Sequence, residues 1–405
     1  MKTNVFLFIS CFLFSFTKAL LSLESNIMNN RIYISLPFGN PEQIIKSPLN
    51  MEKSFSLFSQ HLIDPNISKT STYFQSQIIY DNPNVFEVDE YTDGLRFTSL
   101  NIPNYNFKYF YTQTSSEEEQ IIVDKQYGLS LPYKYLSSDF SLLRHLKQNK
   151  LIDKEIFTFK YDNNLNSIQI LLGTFPNELI NNNSNKGICK PNKNNTTWGC
   201  NLNYVITNGF KFEINKYASF RINKNKYLFG CELHYLIIKN FFENYYRLKK
   251  CKDYIKDTNN KRYIICEQSI IQNHLKSRTI GFSFGNFIKY VNLTSMFQCD
   301  NGNKQCKSLF RCVEGNENYI FNRDFILSSI TSFDHDNDVI SFYNENINHL
   351  TIIYDIKHNM KEQIKIIYII IMIILIINIF LYYGVNKIKY NNFNLGINKY
   401  NIFYN

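Results

Sequence analysis

No C-x2-C pair and no close pair of histidines occurs in this 405-residue chain, which removes the usual zinc sites. No block of lysines or arginines occurs either. The formal net charge is +10, but the basic residues are scattered among asparagines as on a solvated surface, which argues against a nucleic-acid partner. Ser-His-Asp, metal-site and phosphate-loop patterns are missing, so nothing calls for a metal or a cofactor. Between Cys11 and Cys189 there is no cysteine at all, and the first half of the folded chain must hold by its core alone. Glycine (14) and proline (9) are scarce, there is one tryptophan, and 16% of the residues are aromatic.

Both ends carry apolar runs. Val5 to Phe16, preceded by Lys2 and followed by Thr17-Lys18-Ala19, has the form of a cleaved signal peptide over residues 1–19. It is shorter than the roughly 20 residues that span a bilayer. Ile366 to Val385 is almost entirely apolar and long enough to cross as a helix. Tyr382 and Tyr383 sit at its downstream end, with Lys387 and Lys389 just beyond. A cleaved signal fixes the preceding part outside. The expectation is therefore a single-pass type I protein of the secretory pathway or cell surface, with residues 386–405 cytosolic. The polar residues after Val385 disfavour the rival reading, a lipid-anchor signal, which ends apolar.

Cys11 leaves with the signal, and eight cysteines remain, an even number that suits disulfides in a secreted domain. Cys189 and Cys200 enclose an Asn-rich loop with Trp198, and a local bridge between them is expected. Cys231 and Cys251 are close enough to join across an intervening helix but stay unassigned. Sequons at Asn66, Asn182, Asn194, Asn195 and Asn292 fit a glycosylated lumenal surface.

The elements read mostly as strands. Arg31–Phe38 alternates, Gly39-Asn40-Pro41 turns it, and Gln43-Ile44-Ile45 starts back. Ser76–Val88 reads as two strands about the tip Asp81-Asn82-Pro83-Asn84. Phe140–Lys150 has apolar residues at 140, 142, 143 and 146, a helical face, followed by a strand to Phe159, a polar turn, and Ile168–Gly173. Tyr319–Phe321 is a short strand. A β-hairpin over Ile326–Phe342 then turns at Asp334-His335-Asp336-Asn337-Asp338.

In order and spacing these segments resemble the pepsin-like aspartic proteases over about residues 31–343. Val123–Leu129 is similar to the strand that closes that family's first lobe, and Leu233–Tyr246 and Thr279–Tyr290 to a helix and hairpin of its second. The resemblance implies an all-β, two-lobed fold with a few short helices, in addition to the C-terminal transmembrane helix. It places an N-terminal lobe at residues 20–180, a C-terminal lobe at 181–345, their junction near 174–198, and a stalk at 346–365. It also implies that Cys266 pairs with Cys306 or Cys312.

The same resemblance locates the site. The family's first Asp-Thr-Gly falls on Met51, or on Asn50 if the register slips by one, with Glu52 and Lys53 in the next two places. The second falls on Ile222, followed by Asn223. No Asp-Thr-Gly or Asp-Ser-Gly occurs anywhere. Two carboxylates sharing a proton are the essence of that chemistry, so an inactive cleft that binds a peptide or protein is expected. Tyr80, at the flap tyrosine's place, Leu57 and Phe58 are its expected contacts, beside Asn50 and Asn223. A divergent active endopeptidase and a structural or adhesive β protein remain as alternatives.

Overall fold

The structure is a computed structural model that describes residues 21–28, 31–81, 84–95, 105–113, 122–123, 126–162, 167–173, 186–256, 261–285, 287–300, 302, 304–315 and 318–343. The expected signal peptide, the stalk, the span at 366–385, the cytosolic tail and Asn182 lie outside the described residues. Among the described residues no helix is long and apolar enough to cross a membrane.

The chain is mostly β. The first strands are β1 (Leu21–Met28), β2 (Arg31–Phe38), β3 (Gln43–Asn50), β4 (Leu57–Ser59), β5 (Thr72–Asp81), β6 (Asn84–Leu95), β7 (Tyr105–Thr112), β8 (Leu129–Ser130), β9 (Ile156–Asp162), β10 (Ser167–Leu172) and β11 (Lys186–Cys189). Next come β12 (Gly199–Thr207), β13 (Phe210–Phe220), β14 (Tyr227–Gly230), β15 (Cys251–Lys256), β16 (Lys261–Glu267), β17 (Thr279–Phe284), β18 (Phe287–Asn292), β19 (Phe297–Asp300), β20 (Gln305–Ser308), β21 (Phe310–Val313) and β22 (Tyr319–Phe321). The last are β23 (Ile330–Asp334) and β24 (Val339–Tyr343). The helices are short: α1 (Leu142–Gln148), α2 (Cys231–Ile237), α3 (Glu243–Arg247) and α4 (Arg323–Leu327). A π-helical turn, Ile238–Phe242, joins α2 to α3, so residues 231–247 run as one helix.

Alternation explains the strands. β2 buries Ile32, Ile34 and Leu36 on one face, as its period of two dictates. In α1, Leu142, Leu143 and Leu146 are buried, and the Ser141 side chain caps the helix by accepting from the Arg144 N–H at 3.2 Å.

Two sheets result. β12–β22 form one of 11 strands, and the rest form one of 13. The final hairpin was expected in the C-terminal lobe. It joins the first sheet instead, where β23 pairs with β9 and β24 with β11. The order β11-β24-β23-β9-β10-β1 thus draws on the start, middle and end of the described chain. Phe157 of β9 stacks on Phe333 of β23 at 4.9 Å, which favours this pairing. Trp198 is fully buried against Phe157, Phe333 and Tyr133, and its indole N–H donates to the Leu131 carbonyl at 3.2 Å.

Two local expectations need correcting. Phe325-Ile326-Leu327 is helix rather than strand, because Asn322 accepts from the Phe325 N–H at 3.0 Å and starts α4. The hairpin therefore begins at Ile330. Among the described residues of Val123–Leu129 only Leu129 is strand, and it pairs in parallel with Leu49. Gly128 has φ +133°, and a Cβ there would come within 2.3 Å of the Pro48 carbonyl, so glycine is required.

Four disulfides link all eight cysteines beyond residue 188. Cys189–Cys200 forms as expected. Cys266 pairs with Cys251, and Cys306 pairs with Cys299, while Cys312 pairs with Cys231. The expected bridge from Cys266 to Cys306 or Cys312 is not the one formed, because Cys251, which faces Cys266 from the other side, takes its sulfur. Cys251 faces Cys266, Cys266 faces Cys306, and Cys306 faces Cys299, a row of four across β15, β16, β20 and β19. The two outer pairs of that row are the bonded ones.

Candidate functional site

The two halves repeat one arrangement. β3 and β4 are joined by the loop 51–56, and each pairs in parallel with a later strand, β3 with β8 and β4 with β7. β13 and β14 are joined by the loop 221–226, and likewise β13 pairs in parallel with β22 and β14 with β21. Such crossings place each loop at the end of a braced strand.

Asn50 organises the first loop. Its Oδ1 accepts from the Glu52 N–H at 2.7 Å and the Lys53 N–H at 3.2 Å, and its Nδ2 donates to the Gln126 carbonyl. The Leu131 N–H donates to the Asn50 carbonyl at 2.8 Å. In the second loop the Arg221 N–H donates to the Phe321 carbonyl at 2.9 Å, and the Arg323 N–H to the Lys224 carbonyl at 2.8 Å. Asn322 donates to the Asn225 carbonyl at 3.1 Å.

The loops meet through charge. The Glu52 carboxylate lies 2.8 Å from an Arg221 Nη, with side chains 17% and 25% exposed. Met51 and Ile222, which stand where the resemblance puts the two carboxylates, are both buried in the core. The groups facing across the site are thus their neighbours Glu52 and Arg221. Glu52 Oε1, Arg221 Nε and Asn223 Oδ1 are buried without a hydrogen-bond partner among the described residues.

Lys53 extends the network. Its ammonium pairs with Asp81 at the end of β5 and lies 4.9 Å from the centre of the Tyr127 ring, while the Tyr127 hydroxyl donates to the same Asp81 carboxylate. The hairpin β5–β6 is thereby pinned to the first loop. Burial and the Asp81 carboxylate raise the Tyr127 phenol well above its ordinary range, so it stays a donor.

The other expected contacts are not gathered here. Tyr80 is 78% exposed, on the opposite side of β5 from Asp81. Leu57 and Phe58 are corrected from cleft contacts to core residues. Both are fully buried, because β4 lies between two hydrophobic clusters and sends one side chain into each. Asn66, Asn194 and Asn292 are exposed and Asn195 is half-buried. Asn292 also caps a turn, accepting from the Thr294 N–H at 3.0 Å.

Glu52 and Arg221 went unrecognised as a pair in the sequence, and strand alternation offers no signal for them, because the last four residues of β3 and the last three of β13 are all buried. Among the described residues no cluster of three or more His, Cys, Asp or Glu side chains is arranged to hold a metal. No protein-family model and no curated protein matches the chain.

Proposed function

We propose that this chain is a membrane-anchored relative of the pepsin-like aspartic proteases that has lost catalysis and binds a peptide or protein in the vestigial cleft. The observation that carries the proposal is the Glu52–Arg221 ion pair between two similarly built loops, one from each half. The protease reaction needs two carboxylates holding one proton and a water. Here a carboxylate and a guanidinium hold each other. With Arg221 rather than a second carboxylate facing Glu52 among the described residues, neither water activation nor protonation of the leaving nitrogen is supplied, each worth about 10²–10⁴-fold.

The proposal extends to topology. Residues 1–19 serve as signal, 366–385 as the single span and 386–405 as a cytosolic tail, with the β region lumenal or extracellular and glycosylated at its sequons. Four disulfides suit that side of a membrane.

Incubating the purified full-length chain with an unfolded protein substrate at pH 3 to 6 tests catalysis. The expected result is no cleavage. Cleavage that a statine-type transition-state inhibitor blocks would overturn the proposal in favour of an active, divergent endopeptidase.

A further inference from the structure

β15, β16, β20 and β19 lie side by side at one end of the second sheet, with one face covered and one open. The helix 231–247 covers the first face: the Tyr246 hydroxyl donates to Asp253 Oδ1 at 2.6 Å, and His234 packs 5.7 Å from Phe310. The opposite face carries Tyr254 directly across from Tyr263, and Ile265 across from Lys307, which in turn faces Gln298.

That face is hollow. Two adjoining cavities of about 620 and 380 Å³ share Tyr254, Tyr263, Gln298 and Lys307 as walls, and buried Ile265 floors the larger. The two tyrosine rings stand 5.1 Å apart at 44°, and Tyr254 is 46% exposed. The Arg311 guanidinium lies 5.7 Å from the centre of the Tyr263 ring, and its Nε has no hydrogen-bond partner among the described residues. Lys307 makes no ion pair among the described residues. Among the described residues Asp300 is the one carboxylate lining either cavity.

We infer that this hollow binds an acidic oligosaccharide. A pyranose ring presents an apolar C–H face, which the exposed Tyr254 ring and the half-buried Tyr263 ring beside it are placed to cover. Its hydroxyls need partners that both donate and accept, and Gln298 and Gln305 supply amides on the same wall. A uronate carboxylate or a sulfate ester would take the charge-assisted bonds of Lys307 and Arg311. An acidic peptide would use the cations and leave the paired rings without work. The cavity volumes suit a few sugar rings.

The test is titration calorimetry of the full-length chain in detergent against tetragalacturonate, a heparin tetrasaccharide, neutral cellotetraose and tetraglutamate. At least one of the two acidic sugars is expected to bind, with cellotetraose and tetraglutamate about tenfold weaker or worse. Tyr263→Ala is expected to cost about tenfold, and Lys307→Gln to weaken binding while flattening its salt dependence. Tyr263→Phe keeps the ring and should keep affinity, which separates loss of stacking from loss of fold. Failure of both acidic sugars to bind, tetraglutamate binding as tightly as they do, or full affinity in Tyr263→Ala would each overturn the inference.

Discussion

The Glu52 carboxylate and the Arg221 guanidinium meet at 2.8 Å, each presented by a loop that leaves a strand braced in parallel by another. The pair lies between the two halves and is mostly shielded from water. Removing one partner leaves the other charge partly buried and uncompensated. Arg221→Met and Glu52→Gln should each lower stability by roughly 1–3 kcal/mol, less than a fully buried pair because both side chains keep some solvent. Chemical denaturation of both single variants and the double variant checks this. The double variant should be more stable than the sum of the single losses predicts.

The pin between Lys53 and Asp81 makes a different prediction. Asp81→Asn removes the charge that holds both Lys53 and the Tyr127 hydroxyl. The β5–β6 hairpin should then be clipped several-fold faster in limited proteolysis, with the melting temperature little changed. Equal cleavage rates would show that the backbone pairing of β5 with β6 suffices.

His335 gives a pH dependence with a definite sign. Burial against Trp198 and Phe157 pushes its imidazole down to about 4, against the upward pull of Asp338 and Asp336. The folded chain thus keeps the ring neutral while the unfolded chain takes a proton below the ordinary value of 6.5. Stability from this group is complete above pH 6.5 and is lost as pH falls toward 4. Melting temperatures of His335→Gln across pH 7 to 4 should fall less steeply than those of the parent.

Lys289 is buried with its ammonium on Ser329 Oγ at 2.7 Å and the Phe325 carbonyl, over the rings of Phe325 and Phe342. Burial lowers it well below the usual lysine range. Between that lowered value and 10.5 the unfolded chain binds the extra proton, so folding costs more as pH drops through this window. Lys289→Met should raise the melting temperature at neutral pH, and by less at pH 10.

Peptide mapping without reduction checks the bridges. Cys251 should be recovered linked to Cys266, Cys299 to Cys306, Cys231 to Cys312 and Cys189 to Cys200. Recovery of a Cys266–Cys306 peptide would contradict the arrangement.

Much of the β architecture was legible because alternation is local. β2, β3, the β5–β6 hairpin and β9 with β10 all occur where their patterns put them. The start of the final hairpin at Ile326 is misplaced because the consecutive apolar residues Phe325-Ile326-Leu327 suit a strand or a helical turn, and the Asn322 cap decides between them. Leu57 and Phe58 looked like contacts because sequence does not show that β7 and two clusters enclose them. The Glu52–Arg221 pair was not legible at all. It depends on two distant strand ends meeting, and a shift of one residue in either reading hides it behind Met51 or Ile222.

The row Cys251–Cys266–Cys306–Cys299 has a consequence for oxidation. Each cysteine in it faces its lateral neighbour in register, so proximity along the row alone does not choose the pairing. Joining the middle two would strand the outer two as thiols, whereas joining the outer neighbours consumes all four. An oxidising compartment therefore selects this framework by counting electrons: it favours the arrangement that surrenders two more of them, and a milder redox buffer would leave that choice open.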